Sequence, residues 1–595
     1  MAIKLNTIAL FALGLLMILA IPSIPGSFAI PEFWITLLNY IGLYAIVTLG
    51  LVLLTGVAGL TSFGQAAFVG IGAYCTAYLS ATAGFSPWLG LAAGLCLTTL
   101  VAFGIGAITM RLSGHFLPLG TIAWGLSLYY LYGNSDALGK FDGIGGIPDL
   151  SLLGIVFDGP RSMFVLIWLT LLICMVGLSN LLSSRIGRAI RALKGGIGMA
   201  EAMGVNTPWA KIIIFVIAAD LAAVSGFLYA HMQRSVNPTP FGLNYGIEYL
   251  FMAVVGGANY VIGAVLGAGT LTILKDLLQR VLPWFSQSSG SYEGIVFGIL
   301  IIFVLHYARD GLWPLLRKVI PTQQRHLAIG HSKSFPARKN ELTDGALLEV
   351  QNISRRFGGL IAVNDISFSL NAGEIVTLIG PNGAGKTTTF NLISRATDLS
   401  SGKVWFRGER IETIGMREVV KRGLARTFQH VRIIREMSVL ENVALGAHIR
   451  GRAGFWRSAA RLNAREEASI LAEAAKQLRR VGLESSMHMP AENLALGQQR
   501  ILEIARALCS DPLLLLLDEP AAGLREHEKR ALAALLKELK QEGLTILLVE
   551  HDMEFVMNLT DRLIVINFGS KIAEGSPSQV TKEKAVIDAY LGAEI

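Results

Sequence analysis

The scarcity of charge in the first 320 residues constrains this chain most. That stretch contains 15 Lys or Arg and 11 Asp or Glu, whereas the whole 595-residue chain contains 51 and 43. A charge at the centre of a bilayer costs about 2.5–3.5 kcal/mol even on permissive scales. An ordinary soluble domain does not avoid charge over such a length, so we expect residues 1–320 to be embedded in membrane lipid.

Apolar stretches in this part are long enough to cross about 30 Å of hydrocarbon. We predict spans near residues 7–24, 34–55, 66–84, 87–110, 116–132, 162–183, 210–231 and 292–307. The first could be a cleavable signal peptide. A second span begins almost at once near Trp34, which favours an uncleaved first span.

A further apolar stretch, residues 245–274, is too long for one simple span. It is interrupted by glycines, which are Gly256, Gly257, Gly263 and Gly267. Basic residues cluster at 185–194 and at 309–318, and both clusters are expected on the cytoplasmic side. Two clusters on the same side of the membrane must be separated by an even number of crossings. The predicted spans 210–231 and 292–307 already supply two crossings, so residues 245–274 must add either none or two. We interpret this stretch as a broken hairpin or re-entrant element, and as a candidate pathway element because irregular backbone at membrane depth must be buried or line a cavity.

Asp220 lies inside the predicted span 210–231. An intramembrane carboxylate is a functional hypothesis by default. The alternatives are a role in handling substrate, a hydrogen bond to a neighbouring helix, or a position nearer the interface. Glycine-rich stretches at 59–68 and 143–148 are consistent with either pathway lining or close helix packing.

Residues 380–387 read Gly-Pro-Asn-Gly-Ala-Gly-Lys-Thr, a complete phosphate-binding loop (P-loop). A β-rich segment precedes it and a helical pattern follows, which places a positive helix end at the phosphates. Lys386 is expected to reach the β- and γ-phosphates, and the Thr387 hydroxyl to hold Mg²⁺. The predicted nucleotide contacts are Gly380, Pro381, Asn382, Gly383, Ala384, Gly385, Lys386, Thr387 and Thr388.

Five consecutive leucines, residues 513–517, end in Asp518 and Glu519. The run predicts a buried parallel strand that delivers two carboxylates to one sheet edge. Asp518 is expected to hold Mg²⁺, directly or through water, and Glu519 to polarise the attacking water. The second half is therefore expected to bind and hydrolyse ATP.

The net charge of +8 could indicate a nucleic-acid partner. Basic cytoplasmic loops beside a membrane account for it better, so we expect no nucleic acid. The four cysteines show no metal-binding spacing and predict no disulfide framework.

Five segments of the second half, in this order, resemble the motifs of the nucleotide-binding subunit of an ABC transporter. They are residues 380–387, Arg426-Thr427-Phe428-Gln429, Leu494-Ala495-Leu496-Gly497-Gln498, Asp518-Glu519 and His551. The resemblance covers residues 346–595 and implies an α/β P-loop fold. It implies that Gln429 senses Mg²⁺ and couples to the membrane half. It also implies that His551 contacts the γ-phosphate and that Phe357 stacks on adenine, although Phe357 could instead be a core residue.

Two departures from that family's pattern affect communication between paired ATPase domains. Gly497 and Gln498 are expected to face the nucleotide of an opposing domain. The family's Leu-Ser-Gly-Gly-Gln is altered at Ala495 and Leu496, so the hydroxyl that would bind the γ-phosphate is missing. Arg525 stands where the family usually has Asp or Asn. These changes predict weakened contacts or an asymmetric pair with one better site.

Both halves resemble components of branched-chain amino acid importers. In the ATPase half the resemblance lies in residues 357–360, 426–443 and 590–592. In the membrane half it lies in residues 59–74, 111–114, 143–148, 186–189 and 256–257. Residues Ala200–Gly204 resemble the coupling loop that docks on the ATPase, although a plain amphipathic loop helix would also fit.

The resemblance predicts a multidomain protein. A polytopic α-helical permease (residues 1–320) is followed by a flexible linker (321–345) and an α/β P-loop ABC ATPase (346–595). It implies ATP-driven import of branched-chain or other hydrophobic amino acids across the bacterial inner (plasma) membrane, with the ATPase in the cytoplasm.

One chain supplies one permease and one ATPase. We therefore expect a second copy of each, identical or different, and an extracellular or periplasmic solute-binding protein. Import of urea, short amides or another small polar solute stays open as an alternative. So does an ATP-gated channel or membrane-anchored regulator, whereas the short loops of the membrane half argue against an exporter.

Overall fold

A computed structural model describes most of the chain. The described residues are 14–22, 30–110, 116–281, 298–299, 302–304, 306–308, 310–319, 334–338 and 345–591. The chain forms two compact units. Met1–Leu181 with Pro208–Gln324 make the membrane unit, and Leu182–Thr207 with Arg325–Ile595 make the ATPase unit. The segment Leu182–Thr207 falls inside the range predicted for the permease, but it folds with the ATPase.

The membrane unit is built from apolar helices. Among the described residues, the helices long and apolar enough to cross a membrane are Glu32–Val57, Pro87–Thr109, Pro160–Leu182, Thr207–Gln233 and Val261–Val281. Other described helices of this unit include residues 14–22, Gln65–Ala77 with its continuation Tyr78–Thr82, Phe116–Asn134, Leu243–Gly256 and Leu312–Val319. The predicted spans from 34–55 to 210–231 are all helical. Those at 7–24 and 292–307 lie partly outside the described residues.

Short antiparallel strand pairs connect some of these helices. Ile144–Gly145 pairs with Ser235–Val236, and Leu150–Leu152 pairs with Ile155–Phe157. The glycine-rich stretch 143–148 therefore includes one strand of a small ribbon.

The stretch 245–274 forms two helices, Leu243–Gly256 and Val261–Val281, which we call the broken hairpin. Gly257 has φ of 114°, a conformation that L residues rarely adopt, and it ends the first helix. The predicted second interruption is wrong, because Gly263 and Gly267 lie inside the second helix. A Cβ atom on Gly267 would lie 1.7 Å from the Met252 carbonyl oxygen, so these glycines let the two backbones touch.

The ATPase unit contains a six-stranded main sheet. In spatial order its strands are β2 (Leu424–Arg426), β3 (Leu514–Asp518), β4 (Thr545–Val549), β1 (Ile375–Ile379), β5 (Arg562–Asn567) and β6 (Ser570–Gly575), numbered in chain order within this sheet. The first five strands in this spatial order are parallel, and β6 is antiparallel to β5. Every residue of β1, β3 and β4 is buried, as expected for a parallel sheet covered on both faces.

The strand register brings three strand ends to the same edge of the main sheet. Asp518 on β3 is paired with Val549 on β4, and Val549 is paired with Leu378 on β1. The P-loop follows β1, Glu519 follows β3 and His551 follows β4. The predicted strands before the P-loop and before Asp518 are both present.

A second, antiparallel sheet and several helices complete the ATPase unit. The sheet order is Leu360–Leu370, Leu348–Phe357, Ser401–Phe406 and Glu409–Arg410. The α-helices in the described part of this unit are Arg185–Lys194, Ile197–Ala202, Lys386–Ile393, Met416–Arg422, Val439–Gly446, Phe455–Ala459, Ala464–Arg480, Leu496–Leu508, Glu526–Gln541, Met553–Leu559, Pro577–Val580 and Lys584–Leu591. A separate apolar cluster joins Val439–Gly446, Ala464–Arg480 and Leu496–Leu508 into a helical subdomain.

Residues 334–338 belong to the predicted linker, yet they are held on the ATPase unit. The Arg450 guanidinium lies 4.9 Å from the Phe335 ring centroid and donates a 2.7 Å hydrogen bond to the Pro336 carbonyl. Arg338 donates to the Lys421 carbonyl at 3.0 Å. A flexible linker does not describe these five residues, and the rest of the predicted linker up to residue 344 lies outside the described part of the chain.

Candidate nucleotide site and docking surface

The P-loop is shaped by glycines in conformations that favour glycine. Gly380, Gly383 and Gly385 have φ values of 152°, 78° and 99°. A Cβ atom on Gly380 would lie 2.0 Å from the Ile566 carbonyl oxygen, so no other residue fits there without a shift of the backbone. Asn382 and Gly383 are exposed at the loop tip. The helix Lys386–Ile393 begins directly after Gly385, so its N-terminal N–H groups can face an anion.

Lys386 is folded back over the loop. Its ammonium group donates to the carbonyl oxygens of Gly380 at 2.7 Å and Pro381 at 2.9 Å. Burial lowers the Lys386 pKa, and the nearby carboxylates of Glu519 and Asp518 act in the opposite direction. The lysine thus lies among the residues that sequence reasoning assigned to phosphate and metal binding.

Asp518 is a buried carboxylate that accepts no hydrogen bond from the described residues. Its side chain is 1% exposed, and in the described part of the chain neither carboxylate oxygen has a hydrogen-bond partner. Burial raises the Asp518 pKa to about 6, while nearby Arg426 opposes the rise. A buried carboxylate in this state is costly unless a cation or donor meets it.

Glu519 is held in a left-handed backbone conformation, with φ of 50°. Such a conformation is strained for a residue other than glycine and clusters at functional sites. The Glu519 N–H donates to the Val549 carbonyl at 2.9 Å, and Arg500 donates to the Glu519 carbonyl at 3.0 Å. Gln429 Nε2 donates to Glu519 Oε1 at 3.2 Å. The structure therefore brings together two residues that lie 90 positions apart in the sequence.

His551 follows β4 and its side chain is 61% exposed. The backbone N–H of His551 donates to Glu550 Oε2 at 3.2 Å, and Glu550 Oε1 accepts from the backbone N–H of Ala521 at 2.7 Å. Burial raises the Glu550 pKa. The Glu550 carboxylate thus links the backbone at His551 to the backbone at Ala521, two residues after Glu519.

Sequence reasoning missed the roles of Glu550 and Arg500. A signal for Glu550 was present, because it follows an apolar strand just as Asp518 ends one. Arg500 gave no such signal, since its contact with Glu519 depends on the tertiary fold.

Phe357, the predicted adenine-stacking residue, lies at the end of a strand and is 46% exposed. The core alternative is therefore wrong. The Arg355 guanidinium lies 4.7 Å from the Phe357 ring centroid and covers part of it.

Gly497 and Gln498 lie at the start of the helix Leu496–Leu508. Gln498 Oε1 accepts a local hydrogen bond from the Ala495 N–H at 3.2 Å. Ala495 and Gln498 are exposed, as is Leu496 at 57%. Gly497 is buried, and a Cβ atom there would lie 2.9 Å from the Leu524 side chain. This helix start therefore presents an open face with a glycine at its base.

The C-terminal helix Lys584–Leu591 reaches the P-loop. Tyr590 packs against a cluster that includes Ile379, the last residue of β1. Burial raises the Tyr590 pKa, and a hydrogen bond with the Gly380 backbone partly offsets the rise.

The segment Leu182–Thr207, which we call the docking segment, joins the ATPase unit through a basic helix, Arg185–Lys194. Arg188 is 2% exposed and forms an ion pair with Glu467. Arg185 donates to the carbonyls of His448 and Ala453, each at 2.7 Å. Sequence reasoning used this basic cluster to orient the chain in the membrane and, at residues 186–189, as part of the permease resemblance, but it did not predict these contacts with the ATPase.

Two further ion pairs follow along the same basic helix. The Arg191 guanidinium lies 3.5 Å from Glu441, and Lys194 lies 2.9 Å from Glu436. Successive basic side chains of the helix thus meet acidic side chains of the ATPase.

The second half of the docking segment is apolar at its contact. Met199, Ala200, Ala202, Met203 and Val205 are buried in one cluster with ATPase residues. The ATPase members are Met416, Ile434, Met437 and Leu445, with Phe428 packed against them. The predicted coupling loop Ala200–Gly204 therefore contacts the ATPase.

Asp220 has a partner on a neighbouring helix. The Thr99 hydroxyl lies 3.0 Å and 3.2 Å from the two Asp220 carboxylate oxygens. This is the structural alternative that the sequence left open, and a role for Asp220 in handling substrate stays a prediction.

A P-loop ATPase with these motifs, in one chain with a set of apolar helices, defines an ABC transporter. Residues 33–305 match the family described as the branched-chain amino acid transport system permease component. Residues 363–522 match the ABC transporter family, and residues 570–595 match the branched-chain amino acid ATP-binding cassette transporter family.

Curated relatives match the ATPase half. The branched-chain amino acid transport ATP-binding protein LivG of Salmonella typhimurium is 43% identical over 249 residues, which are 41% of this chain and 98% of that protein. BraF of Pseudomonas aeruginosa is 41% identical over 249 residues, again 41% of this chain and 98% of that protein. A nucleotide-free ATP-binding cassette of known structure is 31% identical, with a TM-score of 0.38, and the match covers 41% of this chain and 99% of that one.

The chain belongs to the branched-chain amino acid family of ABC transporters and joins a permease component to its ATP-binding component. It is a membrane protein with a cytoplasmic ATPase that binds ATP and couples its hydrolysis to transport.

Replacing Glu519 by Gln is expected to leave ATP binding intact and to lower ATP hydrolysis by roughly 10²-fold or more, as for loss of a positioned acid–base group. ATP binding and turnover of the purified protein measure this. Glu526→Gln is the matched control, because Glu526 lies on a nearby helix and is 55% exposed in its pair with Arg530. Near-normal turnover by the Glu519 variant would contradict the assignment.

The Asp518 pKa predicts a pH-dependent stability. A folded pKa of about 6 lies above the unfolded value of about 3.9, so folding favours the protonated form. Ionisation therefore lowers the free energy of unfolding as pH rises from about 4 through about 6, with the full penalty of roughly 2–3 kcal/mol present above pH ~7.

Asp518→Asn mimics the protonated form. We expect the nucleotide-free variant to unfold at a higher temperature than the wild type at pH ~8, and the difference to shrink at pH ~5. Thermal unfolding of the whole chain at both pH values measures this, with exposed Asp588→Asn as the control. A variant less stable than the wild type at the higher pH would contradict the prediction.

Proposed function

We propose that this chain is the fused permease and ATPase of an importer that moves branched-chain or other hydrophobic amino acids across the bacterial inner membrane. One observation carries the proposal: two separate parts of the chain match components of the same kind of transport system. The relatives LivG and BraF are named for high-affinity branched-chain amino acid transport, which supports the same substrate class.

The residues around Asp518 fit a bound Mg²⁺. The two unpartnered oxygens of this buried carboxylate are the hard ligands that Mg²⁺ prefers. Asp518, Thr387 and Gln429 would hold the ion, which when bound would neutralise charge on the phosphates. This arrangement supports a magnesium-dependent ATPase.

Glu519 is the proposed residue that polarises the attacking water. Its contact with Gln429 fixes the direction of its carboxylate, and its own carbonyl is held by Arg500. Lys386 would exchange its hydrogen bonds to the loop carbonyls for phosphate oxygens as ATP binds. The ammonium group and the P-loop N–H groups would then stabilise the charge that develops during phosphoryl transfer. His551, exposed beside them, is the proposed γ-phosphate contact.

Two ATPase domains are proposed to pair head to tail, with each P-loop facing the other domain's Gly497 and Gln498. The open helix start at Leu496 supports this, because helix N-termini favour anions. Ala495 offers no hydroxyl there, which supports a weaker second contact. A second permease and a solute-binding protein outside the membrane complete the proposed assembly.

Uptake of labelled leucine tests the proposed function. The chain is reconstituted in proteoliposomes with a candidate second permease, second ATPase and binding protein, with Glu519→Gln as the control. We expect uphill, ATP-dependent accumulation that excess isoleucine and valine suppress and that the Glu519 variant lacks.

Other outcomes identify the alternatives. In one outcome no leucine is taken up, but a binding protein loaded with urea or a short amide stimulates ATP hydrolysis. The substrate would then be that small polar solute instead of a hydrophobic amino acid. ATP-dependent flux without accumulation would support a gated channel.

A further inference from the structure

A cavity of about 270 Å³ lies inside the membrane unit. Its walls come mainly from the helices Glu32–Leu51 and Thr207–Gln233 and from both arms of the broken hairpin. Pockets that take drug-sized ligands measure ~300–1,000 Å³, so this cavity suits a smaller molecule.

One side of the cavity is apolar and aromatic. Leu43, Met252 and Leu271 line it, and all three are buried. Tyr44 joins this lining, with its ring centroid 5.6 Å from that of Tyr249. Aromatic rings with hydroxyl tips present an apolar body together with a hydrogen-bonding group. This side can therefore receive an aliphatic side chain.

The other side carries an ion pair. Glu248 on one arm of the broken hairpin and Lys275 on the other lie 2.9 Å apart, and both line the cavity. The Glu248 side chain is 23% exposed and the Lys275 side chain is 36% exposed, so both are accessible to a molecule in the cavity. Ionisable residues within membrane domains are rare and mark substrate or ion pathways.

Thr272 lies one turn before Lys275 on the same helix and also lines the cavity. Its hydroxyl oxygen is buried and has no hydrogen-bond partner among the described residues. A helical threonine ordinarily returns a hydrogen bond to a carbonyl of the preceding turn. A buried hydroxyl left without one is costly, and a ligand in the cavity would satisfy it.

The cavity lies toward the outer side of the membrane. The basic helix Arg185–Lys194 is cytoplasmic by its charge, so the helix Thr207–Gln233 that follows it ends on the opposite side. Tyr229, near that end, lines the cavity. The first arm of the broken hairpin then runs inward and the second runs outward, which places Lys275 near the outer end of its helix.

We propose that this cavity binds a zwitterionic amino acid with an apolar side chain as it enters the permease. The ammonium group would pair with Glu248, the carboxylate with Lys275 and the Thr272 hydroxyl, and the side chain would lie against the apolar wall. A zwitterion replaces one ion pair by two and brings no net charge, whereas an uncharged amide would separate the pair without replacing its charges. The inference rests on the proposed function and locates its substrate within one protomer.

The test measures leucine imported per ATP hydrolysed by the complete transporter in proteoliposomes. For Lys275→Met and for Glu248→Gln we expect this ratio to fall about tenfold or more, the effect of losing one charge-assisted hydrogen bond. A merely structural ion pair would lower uptake and hydrolysis together and leave the ratio unchanged. Lys140→Met is the control, since Lys140 in the same unit forms an exposed pair with Asp136.

A charge-swapped variant, Glu248→Lys with Lys275→Glu, keeps an ion pair and so guards against loss of folding. We expect it to assemble and yet to retain the low ratio, because the apolar wall fixes the orientation of the amino acid. Recovery of leucine uptake by the swap, or normal uptake by Lys275→Met, would overturn the cavity assignment alone. A wild type that hydrolyses ATP but imports no leucine would overturn the proposed function and the cavity's ligand with it.

Discussion

The buried ion pair between Arg188 and Glu467 fixes the docking segment to the ATPase. Arg188 is 2% exposed and Glu467 16% exposed, so the pair is largely shielded from water. Removing one member of a buried pair typically costs ~3–5 kcal/mol. The apolar cluster around Met199 and Met203 packs the rest of the docking segment against the ATPase. The docking segment leads directly from one membrane-crossing helix into the next, so the pair connects those helices to the ATPase.

Some of the residues that contact the docking segment lie only a few positions from the nucleotide site in the sequence. Phe428 packs against the docking cluster, and its ring is flanked by the guanidinium groups of Arg426 and Arg432 at 4.7 Å and 4.9 Å. The next residue, Gln429, donates to the carboxylate of Glu519. These contacts support our proposal that a change around Glu519 during hydrolysis shifts Gln429 and Phe428, and through them the docking segment.

Sequence patterns predicted the parts of the structure that depend on local chemistry. The P-loop and the Asp518–Glu519 pair were recognisable because strand, glycines and carboxylates follow one another in the chain. The break at Gly257 followed from counting membrane crossings. Gly263 and Gly267 were misjudged, because a glycine that ends a helix and one that lets two helices touch look alike in a sequence.

The parts that depend on distant contacts could not be predicted. The basic residues at 185–194 indicated a side of the membrane but not their acidic partners on the ATPase. Glu248 and Lys275 are 27 residues apart, and only the broken hairpin shows that they face each other. Arg500 similarly gains its role from the fold that places it beside Glu519.

The central claim is that ATP hydrolysis drives transport through the contact between the docking segment and the ATPase. Charge reversal of the ion pair between Arg188 and Glu467 tests this claim most directly. Arg188→Glu and Glu467→Arg are compared singly and together by leucine uptake per ATP hydrolysed in proteoliposomes. The account predicts that each single reversal lowers this ratio and that the double reversal restores it. Single variants that transport as efficiently as the wild type would contradict it.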